Sequence, residues 1–409
     1  MTLPPDLKDR FPLLSQIVNG HKIVYLDSAA SSQKPDCVID AMNNYYKTIN
    51  ANVHRGAYEI AAQATEEMEQ ARRRVATFIG SESPHEVVFT KNATESFNLI
   101  ARSWGGSNLS HGDAVLITDM EHHANIVPWQ ILSAEKGFEI RWLPLTPDGL
   151  LDLDQLDQLL DGVKIVSVTA MSNVLGTLNP ISEISERAHA AGALVAVDGS
   201  QYVPHLPTDV HDLQADLLCF TGHKMCGPTG IGVLWGREEV LDSMPPFLGG
   251  GEMILDVRRD GFTPNELPHK FEAGTPPIAE IIGLGAAVDF LDSLGMENVR
   301  QHEIALTDYA LRSLNKRYGE ELVIHGPSDP LQRGGVISLE YRDVHPHDLS
   351  QVLDQRGICI RAGHHCAKPL MKELGVVATS RASMYLYNNE SDVDALVDSL
   401  ESAGEMFAL

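Results

Sequence analysis

The strongest constraint on the fold is an alternation of short β-branched runs and helical patterns between about residues 85 and 235. The runs are EVVFT, DAVLIT, VKIVSVT, ALVAVD and ADLLCFT, and helical segments such as NATESFNLIARSW and ISEISERAHAAG lie between them. Parallel strands need crossover connections, which are usually helices, so this order of elements is typical of a parallel sheet covered on both faces. The sequence therefore predicts an α/β domain.

The pattern changes after about residue 296. The segments VISLEY, ICIRAG and RASMYLY are strand-like, and helical patterns lie around 308–317 and 348–355. A chain of 409 residues is long enough for one large and one smaller domain. We predict a large domain over 23–295 and a smaller α+β domain formed by 1–22 and 296–409.

Charge and composition exclude several classes of partner. The chain has 56 acidic and 31 basic residues and a net charge of -25, so nucleic acid would be repelled. The first residues, MTLPPDLKDRFPLL, lack the features of a secretory signal, and apolar runs such as IIGLGAAVDFL are too short to cross a bilayer. The five cysteines form no framework, so reduced thiols are expected. We expect a cytoplasmic protein without nucleic-acid or membrane partners.

Polar residues follow the predicted strands at the edge where open parallel sheets bind ligands. Asn92, Ala93 and Thr94 follow the first strand and open a helix, whose free N–H groups suit a phosphate. Thr94 could equally be a simple helix cap. His122 and His123 follow the second strand, and by themselves they are as compatible with packing as with catalysis.

Two charged residues end the next strands. Asp198 ends ALVAVD and Lys224 follows ADLLCFT, and charges buried at such positions need partners. One interpretation is an ion pair between them. The other is a ligand between them with a protonated ring nitrogen and a carbonyl, which describes pyridoxal 5'-phosphate (PLP). With Thr94 near the phosphate and His122 stacked on the ring, the four residues predict a PLP site.

The motifs then resemble a known family over nearly the whole chain. They are VYLDSAASSQKP, NANVHRGAYE, KNATES, MEHHANIVPWQ, SNVLGT, VDGSQ, TGHKMCGPTGIGVLWG, FEAGTP and RAGHHCAKPLM. In this order they resemble the SufS-type (group II) cysteine desulfurases, which are fold-type I PLP enzymes of the class V aminotransferase type. The resemblance implies a large domain with a mainly parallel seven-stranded sheet flanked by helices, a smaller α+β domain, and a homodimer with active sites at the subunit interface.

The resemblance also implies the residues that bind the cofactor. Lys224 matches the lysine that forms the imine, His122 the stacking ring that relays protons, Asp198 the partner of the pyridine nitrogen and Gln201 the partner of the phenolic oxygen. The remaining cofactor positions lie around the phosphate, and Thr275 among them comes from the other subunit. These positions are Ala93, Thr94, Thr221, His223 and Thr275.

For the substrate, L-cysteine, the resemblance implies carboxylate binding by Asn173 and Arg381. Further substrate positions are Ala30, His54 and Arg361. Arg381 alone could instead be a surface arginine with a local acidic partner. Residues 27–31 read Asp-Ser-Ala-Ala-Ser where many relatives have Asp-Asn-Ala-Ala-Thr, which leaves fine substrate positioning open.

Cys366 matches the acceptor cysteine, whose thiolate takes the substrate sulfur as a persulfide while alanine is released. In GHHCAKPLMKELG it lies near the start of a predicted helix with histidines and a lysine close by, and such surroundings favour a thiolate. Cys219 and Cys359 lie inside apolar strands and are better candidates for inert cysteines.

The sulfur must then reach an acceptor. The sequence around Cys366 resembles the branch of the family that needs a dedicated acceptor protein, and the implied destination is iron–sulfur cluster assembly. The segment DVHPHDL resembles members whose acceptor is a SufU-type zinc protein rather than a SufE-type one, with His347 matching the residue that exchanges onto the zinc. The alternative is that His345 and His347 are ordinary surface histidines.

Three other functions compete with this one. Selenocysteine lysis on the same fold is the nearest. A zinc scaffold built from Cys359, His364, His365 and Cys366 lacks the paired CxxC spacing, so no metal is expected. In a nucleotide-binding dehydrogenase, GPTGIG would have to connect a strand to a helix ahead of a later acidic residue, and it does not fit that pattern.

Overall fold

A seven-stranded sheet forms the centre of the molecule in the computed structural model, which describes residues 3–407. In chain order its strands are β1 (Val87–Thr90), β2 (Ala114–Thr118), β3 (Glu139–Leu143), β4 (Val163–Thr169), β5 (Leu194–Asp198), β6 (Leu217–Thr221) and β7 (Gly232–Gly236). Their spatial order is β1-β7-β6-β5-β4-β2-β3, and β7 runs antiparallel to both of its neighbours while the other pairs are parallel. The predicted fold-type I α/β class is confirmed.

Helices cover both faces of this sheet because its strands are apolar on both sides. Leu116 of β2 packs into one core and its neighbours Val115 and Ile117 into the other, as the period of two along a strand requires. The helices on the first face are Glu59–Phe78, Ile181–Ala190 and Ile278–Leu294. Those on the second face are Ala93–Leu99, Val127–Lys136 and Glu238–Ser243.

A second, antiparallel sheet lies in the C-terminal part of the chain. Its strands, in spatial order, are Leu322–His325, Val336–Tyr341, Thr379–Ser383 and Arg361–Gly363. The helices Met296–Tyr318, Pro346–Asp354 and Glu390–Phe407 enclose a separate core with it. The strand predicted in RASMYLY ends early, at Ser383, because Asn388 Oδ1 accepts a hydrogen bond from the Tyr385 N–H in the turn that follows.

The segment ICIRAG, predicted as one strand, is divided between two sheets. Ile358–Cys359 pairs in parallel with Val24–Tyr25, and only Arg361–Gly363 joins the antiparallel sheet. Near the N-terminus, Leu7 and Phe11 pack into the core that covers the first face of the large sheet. The domain boundaries given above stay a prediction.

The remaining helices and strands are short. They include the helices Asp36–Asn44 and Lys368–Glu373 and a hairpin of Ile254–Arg258 and Gly261–Pro264. Within residues 3–407, no helix combines the length and the apolar character needed to cross a membrane.

Candidate active site

A cavity of about 280 Å³ lies at the carboxyl ends of the parallel strands and is closed on one side by residues of the C-terminal sheet and its loops. Most of the predicted site residues line it, although they are far apart in sequence. They are Ala30, Ala93, Thr94, His122, Asn173, Asp198, Gln201, Thr221, His223, Lys224, Arg361, Cys366 and Arg381. The fold therefore assembles one site from the strand ends that the sequence indicated.

Three predicted residues lie outside this cavity. Thr275 borders a separate surface cleft together with Tyr46. His54 is exposed, and its ring nitrogen lies 3.2 Å from the carboxylate of Glu69. His347 is exposed on the helix Pro346–Asp354. Their assignments stay predictions, and that of Thr275 requires a second subunit.

Lys224 enters the cavity from a short helical turn that follows β6 directly. The turn is tight, since a Cβ at Gly222 would lie 2.7 Å from the Ile231 side chain and 3.1 Å from the Pro228 carbonyl oxygen. Burial lowers the pKa of Lys224 to about 8, and the charge of Asp198 opposes this shift. The amine is therefore far easier to deprotonate than an ordinary lysine.

Asp198 and Lys224 both line the cavity, but no ion pair joins them among the residues described. Asp198 is only 5% exposed, and its Oδ1 accepts a hydrogen bond from the Ser200 N–H at 2.9 Å. Burial raises its pKa, while Ser200 and Lys224 lower it. Two charges that share a cavity without direct contact fit a bridging ligand better than the ion pair considered from the sequence.

His122 is held as a neutral ring in one tautomer. Its Nδ1 accepts a hydrogen bond from the Ala124 N–H at 3.1 Å. Burial, and next the charge of Lys224, lower the pKa of His122 to about 3. The ring proton therefore resides on Nε2, and the imidazole can stack on an aromatic ring or pass that proton on.

Thr94 does not cap the helix that it opens, contrary to the simpler interpretation of the sequence. Asn92 is the cap, since its Oδ1 accepts a hydrogen bond from the Glu95 N–H at 2.9 Å. This leaves Thr94 free to line the cavity beside His223, whose pKa burial lowers to about 4. A neutral imidazole and a hydroxyl can both donate to a phosphate.

Three buried polar atoms of residues that line the cavity lack partners among the residues described, namely Gln201 Oε1, Arg381 Nε and His365 Nδ1. Gln201 Nε2 donates to the Ala29 carbonyl at 2.7 Å, but its Oε1 has none, and Arg381 Nε also has none. Such atoms are costly unless a ligand or water satisfies them. Together with an amine, a carboxylate and a neutral imidazole, they form a set that fits PLP and an amino acid.

Arg381 is a buried arginine, only 2% exposed, so its interpretation as a surface residue is wrong. Its guanidinium donates to the Asn173 carbonyl at 2.9 Å and to Asp27 at 3.3 Å. Asp27 also pairs with Arg361 at 3.0 Å. Burial lowers the pKa of Arg381 to about 10, and Asp27 opposes this. Sequence reasoning missed Asp27 as the group that orients both arginines, although it lies within the motif VYLDSAASS.

Cys366 is exposed at the rim of the cavity, in a loop with unusual backbone angles. His365 and Cys366 have φ values of 51° and 56°, in the left-handed region that side chains other than glycine seldom adopt. Asn173 Nδ2 donates to the His365 carbonyl at 2.8 Å, and the His123 N–H donates to the Cys366 carbonyl at 2.8 Å. These contacts from Asn173 and His123 maintain the strained loop, as expected at functional sites. The helix begins at Lys368, close to the predicted position.

Outside the cavity, His54, Glu69 and His269 bring three possible metal-ligand atoms within 4.8 Å of one another. Both carboxylate oxygens of Glu69 are already bonded to the buried guanidinium of Arg72, at 2.9 and 3.2 Å. This cation competes directly with a metal ion, so we assign no metal to the cluster.

Comparison with known proteins shows the family of this chain. The family model for class-V aminotransferases matches residues 24–396. The chain belongs to the class-V aminotransferase family. It is 52% identical, over all of both chains, to a probable cysteine desulfurase of Streptomyces coelicolor. The apo structure of a cysteine desulfurase from Thermococcus onnurineus superposes with a TM-score of 0.94 at 37% identity, covering 100% of this chain and 99% of that one. The cysteine desulfurase CsdA of Escherichia coli gives 0.91 at 38% identity, covering 99% of each.

Within the class-V aminotransferases, the chain belongs with the PLP-dependent cysteine desulfurases. The predicted cofactor class is therefore confirmed. The more specific SufS-type assignment stays a prediction.

Proposed function

We propose that this class-V aminotransferase converts L-cysteine to L-alanine and retains the sulfur as a persulfide on Cys366. The observation that carries the proposal is that one cavity combines Lys224, Arg381 and an exposed thiol. When bound, PLP supplies an aldehyde that captures the substrate amine and a ring that accommodates the electron pair released at Cα.

Arg381 and Asn173 orient the substrate carboxylate. Two of the arginine's nitrogens are fixed by Asn173 and Asp27, while Nε has no hydrogen-bond partner in the described part of the chain. An arginine fixed in this way can donate parallel hydrogen bonds to the substrate carboxylate. A lysine could not reproduce this arrangement. The substrate is thereby held with its side chain toward the rim that carries Cys366.

Lys224 acts as the base at the substrate Cα once its amine is free. A pKa near 8 allows a useful fraction of neutral amine close to neutral pH. With PLP bound, His122, neutral and protonated on Nε2, would hold the ring by stacking, and Asp198 would supply the counter-charge for the ring nitrogen. The roles proposed for Lys224, His122 and Asp198 each require the protonation state that the residue's surroundings favour.

Cys366 performs the sulfur transfer. Its thiolate attacks the substrate Sγ, so an S–S bond forms as the Cβ–Sγ bond breaks. The electron pair of the broken bond stays with the carbon skeleton, and Cβ takes up a proton to become the methyl group of alanine. No external oxidant or reductant is needed. The exposed loop position then leaves the persulfide accessible to an acceptor.

Replacement of Cys366 tests the proposal. With Cys366→Ala, we expect alanine formation from L-cysteine to fall by about 100-fold or more, and the sulfur adduct on the protein to disappear from its intact mass. Cys359→Ala serves as the control and should retain both alanine formation and the sulfur adduct. Unchanged alanine formation in Cys366→Ala would refute the role of the thiol.

Selenocysteine lysis is the second candidate, because it uses the same cofactor site without requiring Cys366. The same two variants should therefore be assayed with L-selenocysteine. A wild-type preference for selenocysteine, kept in Cys366→Ala, would favour the lyase over the desulfurase.

We further propose a SufU-type zinc protein, rather than a SufE-type one, as the acceptor, with iron–sulfur cluster assembly as the destination. His345 and His347 are both exposed, and their rings stack 5.5 Å apart, so either can reach a partner's metal. His347→Ala should abolish stimulation by the zinc acceptor but leave basal turnover intact. His345→Ala is the matched control, and equal loss in both variants would argue against a specific exchange at His347.

We propose a homodimer in the cytoplasm, with Thr275 serving the active site of the other subunit. Thr275 borders its own surface cleft beside exposed Tyr46, and the hairpin nearby in sequence exposes Val257 and Phe262. A mixture of Lys224→Ala and Thr275→Ala chains tests this, because a mixed dimer contains one complete site. Activity no greater than the average of the two separate variants would contradict shared sites.

A further inference from the structure

The turn that carries Lys224 receives hydrogen bonds from a distant part of the chain, residues 31–34. Four donors of this segment lie within 3.2 Å of the carbonyl oxygen of His223, the residue directly before Lys224. They are the Ser32 N–H at 3.0 Å, the Ser31 and Ser32 hydroxyls at 3.2 Å each, and Lys34 Nζ at 2.9 Å. The peptide unit that leads into Lys224 is therefore held from outside its own turn.

The Ser32 hydroxyl differs from the other donors because it contacts the turn on both sides of Lys224. Its Oγ also accepts a hydrogen bond from the Cys226 N–H at 2.8 Å. A hydroxyl can donate one hydrogen bond and accept two, so both contacts can form together. In an ordinary β-turn the carbonyl of the first residue and the N–H of the fourth, here His223 and Cys226, bond directly to each other. In this turn the Ser32 hydroxyl bridges the two groups.

The bridged turn is buried and tightly closed. Cys226 has a φ of 63°, in the left-handed region that residues other than glycine seldom adopt. A Cβ at Gly227 would lie 2.9 Å from the Gly222 carbonyl oxygen. Because Ser32 and Cys226 are 2% and 0% exposed, loss of the hydroxyl would leave a buried N–H without its partner. The Ser32 hydroxyl therefore controls the direction in which Lys224 leaves the backbone.

The neighbouring residues of Ser32 contact the residue proposed for the phenolic oxygen of PLP. Gln201 Nε2 donates to the Ala29 carbonyl at 2.7 Å, and Ala29 and Ala30 line the cavity. In PLP the aldehyde and the phenolic hydroxyl are attached to neighbouring ring carbons, so the lysine and the glutamine must be held at matching positions. Residues 29–32 contact both the Lys224 turn and the glutamine.

We propose that Ser32 is a positioning residue for the lysine that binds PLP: its hydroxyl bridges the turn around Lys224 and aims the amine at the aldehyde. The amine nitrogen then forms a C=N bond with the aldehyde carbon, and water leaves. The inference rests on the proposed role of Lys224 in cofactor binding. Ser32 acts on this step through the Lys224 turn, since it does not itself line the cavity.

The test separates capture of the aldehyde from binding of the rest of the cofactor. Pyridoxine 5'-phosphate has an alcohol in place of the aldehyde, so it can occupy the site but cannot react with an amine. In the apoprotein of Ser32→Ala, we expect the rate constant for PLP capture, followed by stopped-flow absorbance, to fall about 10-fold. The Kd for pyridoxine 5'-phosphate, measured by calorimetry, should stay within about 2-fold of the wild-type value, because this binding does not use the amine. Both are measured at pH 9, where the Lys224 amine is mostly neutral, since its pKa is lowered to about 8.

Ser31→Ala is the matched control. It removes a hydroxyl that lies 3.2 Å from the same carbonyl but keeps the bridge to Cys226, so PLP capture should keep its wild-type rate constant. Equal slowing in Ser31→Ala and Ser32→Ala would overturn the proposal. An unchanged rate constant in Ser32→Ala would overturn it too, and so would a rise in the Kd for pyridoxine 5'-phosphate that matches the fall in rate, because Ser32 would then have only a packing role.

Ser32→Cys covers the case in which Ser32→Ala does not fold. A thiol fills nearly the same space but forms weaker hydrogen bonds, so capture should slow about 3-fold while the Kd for pyridoxine 5'-phosphate stays unchanged. A wild-type rate constant in this variant would contradict the proposal. Peptide mapping of the wild-type protein after borohydride treatment checks the underlying assignment. A label on a different lysine would refute the role of Lys224, whatever the Ser32 variants showed.

Discussion

The turn that carries Lys224 and the loop that carries Cys366 face the same cavity but are built in opposite ways. The Lys224 turn follows a fully buried strand, and Gly222 leaves no room for a side chain. In the Cys366 loop the thiol is exposed, and two residues that are not glycine, His365 and Cys366, have left-handed backbone angles. Hydrogen bonds from Asn173, His123 and Thr379 hold it.

The difference matches the two tasks. A lysine that must lose its proton benefits from burial, which lowers its pKa. The thiol that we propose to pass sulfur to another protein has to remain accessible, so buried hydrogen bonds hold its backbone while its side chain stays exposed.

Lys224→Ala should abolish activity, by about 10³-fold or more, because both the covalent attachment and the base are removed. Borohydride treatment of the PLP-loaded protein should no longer label residue 224. Lys34→Ala is a matched control, since burial also lowers the pKa of Lys34 to about 8. Lys34→Ala should keep the label, and equal loss of label in both variants would contradict the assignment of Lys224 as the lysine that binds PLP.

Arg381→Lys should lower kcat/KM roughly 100-fold, because a lysine cannot contact Asn173, Asp27 and the substrate carboxylate together. Arg361→Lys should have a smaller effect, since this side chain is 49% exposed and more adaptable. Steady-state kinetics with L-cysteine measures both. The reverse order of effects would show that the exposed arginine is the main carboxylate ligand.

Capture of PLP by the apoprotein should speed up with pH until about 8 and then level off. The neutral amine of Lys224 is the nucleophile, and its pKa is lowered from 10.5 to about 8. Asp198 opposes this lowering, so Asp198→Asn should move the midpoint to lower pH. Stopped-flow absorbance measures the rates, and a wild-type midpoint near 10 would show that burial does not activate the lysine.

The smallest expected difference between the Lys224 turn and the Cys366 loop lies in how much a substitution lowers the free energy of unfolding. Gly222→Ala should lower the free energy of unfolding by about 1–3 kcal/mol, because the added methyl group meets packed atoms. Thr379→Val should cost about 1 kcal/mol, through loss of the 2.9 Å hydrogen bond to His365. Urea denaturation of the apoproteins compares them, and a larger cost for Thr379→Val would reverse the contrast.

Much of the fold and site was predictable because the relevant signals are local. The alternation of strand and helix patterns predicted the parallel sheet, and strand ends such as Asp198 and Lys224 meet at one edge of any such sheet. The split of ICIRAG between two sheets was not predictable, since the partner of Ile358–Cys359 lies more than three hundred residues earlier, at Val24–Tyr25.

The sequence alone determined the α/β class and the edge of the sheet where the site lies, because both follow from periodicity along short segments. The contact of Asp27 with Arg381, and that of Asn173 with the backbone of His365, came from the tertiary structure. These outcomes depend on which buried donors and acceptors meet across the fold, and no local pattern specifies such meetings.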